Sequence, residues 1–263
     1  MTSASEPERV SLRTSDGVTL AAEHWPGADR RIGLVVAHGF TGSSRNVHVR
    51  RICRHLVSRG FGVLAPDFRG HGRSGGLGTA GADEIHDVAA AVAWLRAAGY
   101  SFVAVLGWSM GGTAVLRHAG LGGDAEAVVS VSAPGHWWER GTRPMRLVHW
   151  MVETQSGRTA TRYLRRTRIS PTLWRPEPEA PVDVVGAIAP RPLLIVHGAA
   201  DGYFPLHHVD ALAAAAPDAD VWIEPDMGHA EVATTAELLD RIGAWLLAVY
   251  ERRSEVCDDD TRD

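Results

Sequence analysis

Three residue types that together can cleave an acyl bond fall at matched places in this chain. Ser109 follows an apolar run from Phe102 to Trp108, Asp201 follows one from Pro192 to Val196, and His229 follows one from Val221 to Ile223. A neutral serine hydroxyl is a poor nucleophile. It needs a base within hydrogen-bond reach and a carboxylate that holds the base in the right tautomer. Residues just beyond three apolar runs meet that need when the runs are strands ending at one edge. Around Ser109 the sequence is Gly107-Trp108-Ser109-Met110-Gly111. Glycines on both sides let the chain reverse tightly and aim the amides of a following helix at a developing anion. The same five residues also suit a strand-to-helix turn in which Ser109 is only an N-cap.

The elements that must position these residues follow from periodicity. Ser15-Asp16-Gly17 between Val10–Thr14 and Val18–Trp25 is a hairpin signature, so two antiparallel strands open the fold. Ile32–Ala37, Phe61–Ala65, Phe102–Trp108, Ala125–Ser132, Pro192–Val196 and Asp220–Glu224 read as further strands. Helical stretches separate them at about 46–59, 83–98, 110–120 and 206–216, with a terminal one at 234–252. Strands alternating with helices imply a mostly parallel sheet of about eight strands with helices on both faces. Right-handed crossovers gather the loops at the carboxyl edge. The rhythm lapses from 134 to 180, a stretch rich in arginine and tryptophan whose Leu147, Val148, Met151 and Val152 recur at helical spacing. The expected division is a core of 9–133 and 181–252, a small helical cap of 134–180, and disordered termini at 1–8 and 253–263.

Five motifs at the ends of successive apolar runs now stand in order: His38-Gly39-Phe40-Thr41-Gly42, the loop Asp67-Phe68-Arg69-Gly70-His71-Gly72-Arg73-Ser74, Gly107 to Gly112, Gly198-Ala199-Ala200-Asp201, and Gly228-His229. In this order the chain resembles the α/β-hydrolase family, in its esterase and lipase-like branch, from about residue 9 to 250. The resemblance implies the α/β-hydrolase fold and a serine hydrolase that cleaves carboxylic esters through an acyl-enzyme. Ser109 would be the nucleophile, His229 the base and Asp201 its orienting carboxylate, with the backbone N–H groups of Phe40 and Met110 forming the oxyanion hole. Asp226 competes for the carboxylate role, but Asp201 has the family's place after the preceding strand. His38 and the Asp67, Arg69 and His71 loop are expected to brace structure. The alternatives of the same chemistry are an acyl thioesterase acting on coenzyme A or a carrier protein, and a cofactor-free perhydrolase or lyase. A non-catalytic ligand-binding member is the alternative of another class.

No cofactor is implied, and no metal: His207 and His208 are adjacent, so a helix does not point both at one ion as an i, i+4 pair would. The match of Gly76 to Gly81 to a dinucleotide fingerprint fails, because it does not emerge from a strand. All 27 basic residues are arginine, and the formal charge of −4 argues against general nucleic-acid binding. Two cysteines offer no disulfide framework, the amino terminus has no secretory pattern, and no run reaches the ~20 apolar residues of a membrane span. A cytoplasmic enzyme acting on a small acyl ester is the expectation. Trp137, Trp138, Trp150 and Phe204 are its candidate substrate contacts. The arginines of 134–180 are either a solvated lid surface or a recognition surface for an anion or an aromatic acyl group.

Overall fold

The computed structural model describes residues 6–259. Its frame is one eight-stranded sheet formed by β1 (Glu8–Arg13), β2 (Thr19–Trp25), β3 (Ile32–Ala37), β4 (Gly62–Pro66), β5 (Phe102–Trp108), β6 (Ala127–Val131), β7 (Leu193–Gly198) and β8 (Asp220–Glu224), in the order β1-β2-β4-β3-β5-β6-β7-β8. β1 pairs antiparallel with β2 through the expected hairpin, and β2 pairs antiparallel with β4. The remaining ladders are parallel. This is the α/β-hydrolase fold.

The continuous apolar runs are explained by burial on both faces of the sheet. Along β5, Val103 and Val105 enter one core, with α2 (Glu84–Ala97) and α3 (Met110–Gly120). Phe102, Ala104, Leu106 and Trp108 enter the other, with α1 (Val47–Ser58) and the terminal α9 (Ala236–Asp259). Strand alternation thus divides one sequence run between two cores. β3 sits between β4 and β5, so the chain winds outward from it in both directions. The loops after β3 and β5 therefore flank a crevice at the carboxyl edge.

Between β6 and β7 the chain forms α4 (Arg143–Glu153), α5 (Gln155–Arg165), α6 (Pro181–Val184) and a 3₁₀ turn over Val185–Ile188. Thr142 and Thr154 cap α4 and α5, each accepting a backbone N–H within the first turn. The segment is tied to the core at its far end. Arg168 N–H donates to Gly70 O, Gly78 N–H to Arg168 O and Ser170 N–H to Gly78 O. The glycine-rich stretch 76–81 is thus a docking edge for the inserted segment. Trp137 and Trp174 bond to backbone carbonyls of Pro178 and Thr79.

The carboxyl end departs from expectation. α9 continues through Asp259 instead of yielding to a tail at 253. Glu251, Arg252, Arg253 and Glu255 are good helix formers, and no glycine or proline between Arg252 and Asp259 offers a stop. The expected disorder at 1–5 and 260–263 lies outside the described residues. No helix among the described residues is long and apolar enough to cross a membrane.

Candidate active site

Ser109 stands between β5 and α3 with φ of 53° and ψ of −118°. That left-handed backbone is costly for a residue with a Cβ and is held by its neighbours. A Cβ on Gly107 would lie 2.1 Å from Gly111 O, and one on Gly111 2.1 Å from Ala37 O. Both positions therefore require glycine. The Ser109 side chain caps no helix amide, which removes the N-cap alternative. Its Oγ lies 3.0 Å from His229 Nε2 instead.

His229 comes from the loop after β8, and its Nδ1 lies 2.8 Å from Asp201 Oδ2. Asp201 follows β7. Its Oδ1 accepts the N–H groups of Tyr203 at 2.8 Å and Phe204 at 3.1 Å. Its side chain is fully buried, and burial pushes its pKa upward. The hydrogen bond and charge of His229 and the two amides outweigh burial and hold the carboxyl below its usual range. It is ionised at neutral pH and fixes the imidazole with its proton on Nδ1, leaving Nε2 facing the hydroxyl. Asp226 is exposed and bonds to neither residue.

Neither the Phe40 nor the Met110 N–H donates to a protein acceptor among the described residues. Met110 opens α3, so its amide has no partner within the helix. His38 orders the Phe40 loop. Its Nε2 accepts the Phe68 N–H at 3.1 Å and its Nδ1–H donates to Gly39 O at 2.8 Å. Burial, then the neighbouring His71, lower its pKa to about 4, so the ring is neutral. Asp67 accepts the amides of Ser44 and Arg73, and Arg69 is gripped by Asp16 and Asp87. These residues brace the loops, as expected.

Over Ser109 lies a pocket of about 520 Å³. Trp137 and Phe204 line it; Trp138 and Trp150 do not. Trp138 is turned outward, stacked on His149 with its Nε1–H donating to Glu177, and Trp150 lies on the exposed side of α4. For Trp150 helical phase decides this: Met145, Val148 and Met151 take the pocket side of α4. Pocket residues not singled out by sequence include Trp174, Tyr203 and Glu231. Tyr203 stacks on His229, and Glu231 Oε1 accepts the Gly39 N–H at 2.6 Å. Burial pushes the Glu231 carboxyl above the usual range, and the Gly39 bond opposes it. For Tyr203 and Glu231, their positions two residues after Asp201 and His229 were the available signal.

His207 and His208 do converge on one carboxylate, their Nε2 atoms lying 3.4 and 3.2 Å from Glu139 Oε2. The carboxylate arrives from another element, which helix spacing does not consider. His208 Nδ1 accepts the Gly135 N–H, so the neutral ring carries its proton on Nε2 and has no lone pair there for a metal.

Comparison with known proteins agrees with this architecture. A family model described as serine aminopeptidase, S33 matches residues 28–175, over half of the chain. A carboxylesterase of Bacillus subtilis (strain 168) is 32% identical over 112 residues, 42% of this chain and 44% of its own length. A non-heme haloperoxidase of Rhodococcus erythropolis is 37% identical over 126 residues, 47% of this chain and 44% of its own. The chain thus spans under half the length of these curated relatives. The Pyrococcus furiosus esterase Pf2001 superposes with a TM-score of 0.70 at 22% identity, covering 94% of this chain and 92% of that one. The α/β hydrolase GrgF from Penicillium sp. sh18 gives 0.73 at 18%, covering 94% and 98%. The structural likenesses carry the fold, the family match covers the strands and loops from β3 through α5, and together they place this chain in the serine aminopeptidase S33 family of α/β hydrolases.

Proposed function

We propose that this protein is a serine hydrolase that cleaves carboxylic esters through an acyl-enzyme. The observation that carries the reading is the hydrogen-bonded chain from Asp201 through His229 to Ser109, with links of 2.8 and 3.0 Å. In the first half-reaction Ser109 Oγ attacks the acyl carbon as His229 Nε2 takes its proton. The tetrahedral oxyanion is held by the Phe40 and Met110 amides, each contributing about 3 kcal/mol to the transition state. His229 then gives the proton to the departing alcohol. In the second half-reaction it activates a water, which releases the acid and restores the hydroxyl.

Residues 134–180 act as a cap in this reading. They supply Trp137, Met145, Val148 and Met151 to the pocket wall, which favours an apolar acyl group and keeps bulk water from the acyl-enzyme. The esterase names among the similar proteins support the same reaction class.

The test is hydrolysis of p-nitrophenyl esters by wild type and Ser109→Ala, with labelling by a serine-directed fluorophosphonate. Ser109→Ala should lose about 10⁴-fold or more in kcat, and mass spectrometry should find the label on Ser109. Full activity in the variant, or a label elsewhere, refutes the proposal.

A further inference from the structure

The inserted segment 134–180 carries nine arginines against four acids, while the rest of the chain carries 18 against 27. Among the described residues, only Arg140 of these nine forms a salt bridge, with Glu153. Arg158 donates to the carbonyls of Val152 and Glu153, and Arg168 to that of Ser74. Those bonds orient both guanidiniums without cancelling their charge. Arg158, Arg162 and Arg168 line a cleft of about 320 Å³ together with Gln155 and Thr159 and without any carboxylate in its wall.

The cleft is connected to the catalytic centre by helix geometry. Arg158, Arg162 and Arg165 are spaced i, i+4 and i+7 along α5, so they share one face over about 10 Å. Arg165, at the end of that row, lines the pocket above Ser109. A row of uncompensated guanidiniums thus runs from the mouth of the acyl pocket to a concave, acid-free cleft. One carboxylate satisfies one such fork, whereas three in a row match an anion with several charges.

We propose that this face of α5 holds the phosphates of a polyphosphorylated leaving group, so that the same acyl-transfer site, besides oxygen esters, takes an acyl thioester of a nucleotide-bearing thiol of the coenzyme A type. The proposal rests on the acyl-transfer reading above. Ser109 Oγ bonds to the acyl carbon, the C–S bond breaks, and the sulfur leaves with the proton held by His229. Water then cleaves the acyl-enzyme, so the products are a free acid and a free thiol. The phosphates stay outside the pocket, on Arg162 and Arg158, while the apolar acyl chain fills it.

The experiment compares butyryl-coenzyme A with p-nitrophenyl butyrate on wild type and an Arg158→Ala/Arg162→Ala double variant. It also titrates ADP into Ser109→Ala protein by calorimetry, with and without the two arginine changes. The ratio of kcat/KM for thioester over ester should fall about tenfold or more in the double variant, as expected for lost charge-assisted bonds. ADP should bind Ser109→Ala and lose that binding with the arginines. An unchanged ratio together with absent ADP binding overturns the proposal. So does loss of binding to phosphatidylglycerol vesicles with an unchanged ratio, which assigns the arginines and the exposed Tyr163 and Leu164 to a membrane surface. If wild type cleaves neither substrate, the acyl-transfer reading fails, and the ADP titration still decides the cleft.

Discussion

Tyr203 lies flat on His229, with ring centroids 4.1 Å apart and planes inclined by 20°. The Tyr203 N–H separately donates to Asp201, so this one residue touches Asp201 through its backbone and His229 through its ring. Removing only the ring tests the second contact. Tyr203→Ala should lower kcat about three- to tenfold, the range for an aromatic pair contributing about 1 kcal/mol. Tyr203→Phe should keep near wild-type kcat. Steady-state kinetics on one ester decide it, and equal losses in both variants would show that the hydroxyl matters instead of the stack.

Glu231 is tied through Gly39 N–H to the loop that carries Phe40. Glu231→Ala should leave that amide without its partner and lower kcat/KM about tenfold, whereas Glu231→Gln keeps an acceptor and most of the activity. The pH response separates charge from geometry. Burial raises the Glu231 pKa above its ordinary 4.5. As pH rises through that raised value, only wild type gains a negative charge beside the site of the oxyanion. The ratio of kcat/KM, glutamine variant over wild type, should therefore rise with pH. A ratio flat with pH would remove the charge from the account.

Gly111 admits no side chain. The Cβ of Gly111→Ala would meet Ala37 O at 2.1 Å and His38 O at 2.7 Å, both backbone atoms at the heart of the sheet. The variant should lose about 3 kcal/mol or more of stability, as overpacking against immovable backbone does. Urea unfolding should show the midpoint lowered with little change in slope. Wild-type stability in this variant would contradict the elbow geometry.

His118 is buried on α3 with its Nε2 unpartnered, and burial lowers its pKa to about 4 from 6.5. The sign follows from linkage. The folded ring stays neutral while the unfolded one protonates, so the stability contribution is complete above pH 6.5 and is lost as pH falls toward 4. His38 and His208 are lowered to about 4 as well, chiefly by burial, and add to the same window. Wild type should therefore lose stability between pH 7 and pH 5, with about 2 kcal/mol of that loss due to His118. His118→Leu should show a loss smaller by that amount in urea titrations at the two pH values. An identical pH dependence would mean that His118 titrates normally.

Much of the fold and of the proposed triad was legible because each rests on local or repeating signals. Apolar runs marked the strands of the parallel sheet, since strands covered on both faces tolerate no polar alternation. The glycines at 107 and 111 marked the elbow, since backbone atoms approach there within any Cβ radius. The order Ser109, Asp201, His229 then placed three loops at one sheet edge. Trp138 and Trp150 were misplaced for a different reason. Composition marks an aromatic residue as a candidate contact, but helical phase and the Glu177 and His149 contacts set which way it faces.

By itself, then, the amino-acid order determined the sheet, the elbow and which residues the proposed triad joins, because chain direction and strand ends leave those residues one meeting place. Tertiary structure alone decided what surrounds them. It set Tyr203 against His229 and Glu231 against Gly39, brought Glu139 to the adjacent His207 and His208, and divided the arginines between the pocket mouth and the second cleft. Those contacts join residues from separate loops and helices, and their geometry depends on packing between elements that no local pattern records.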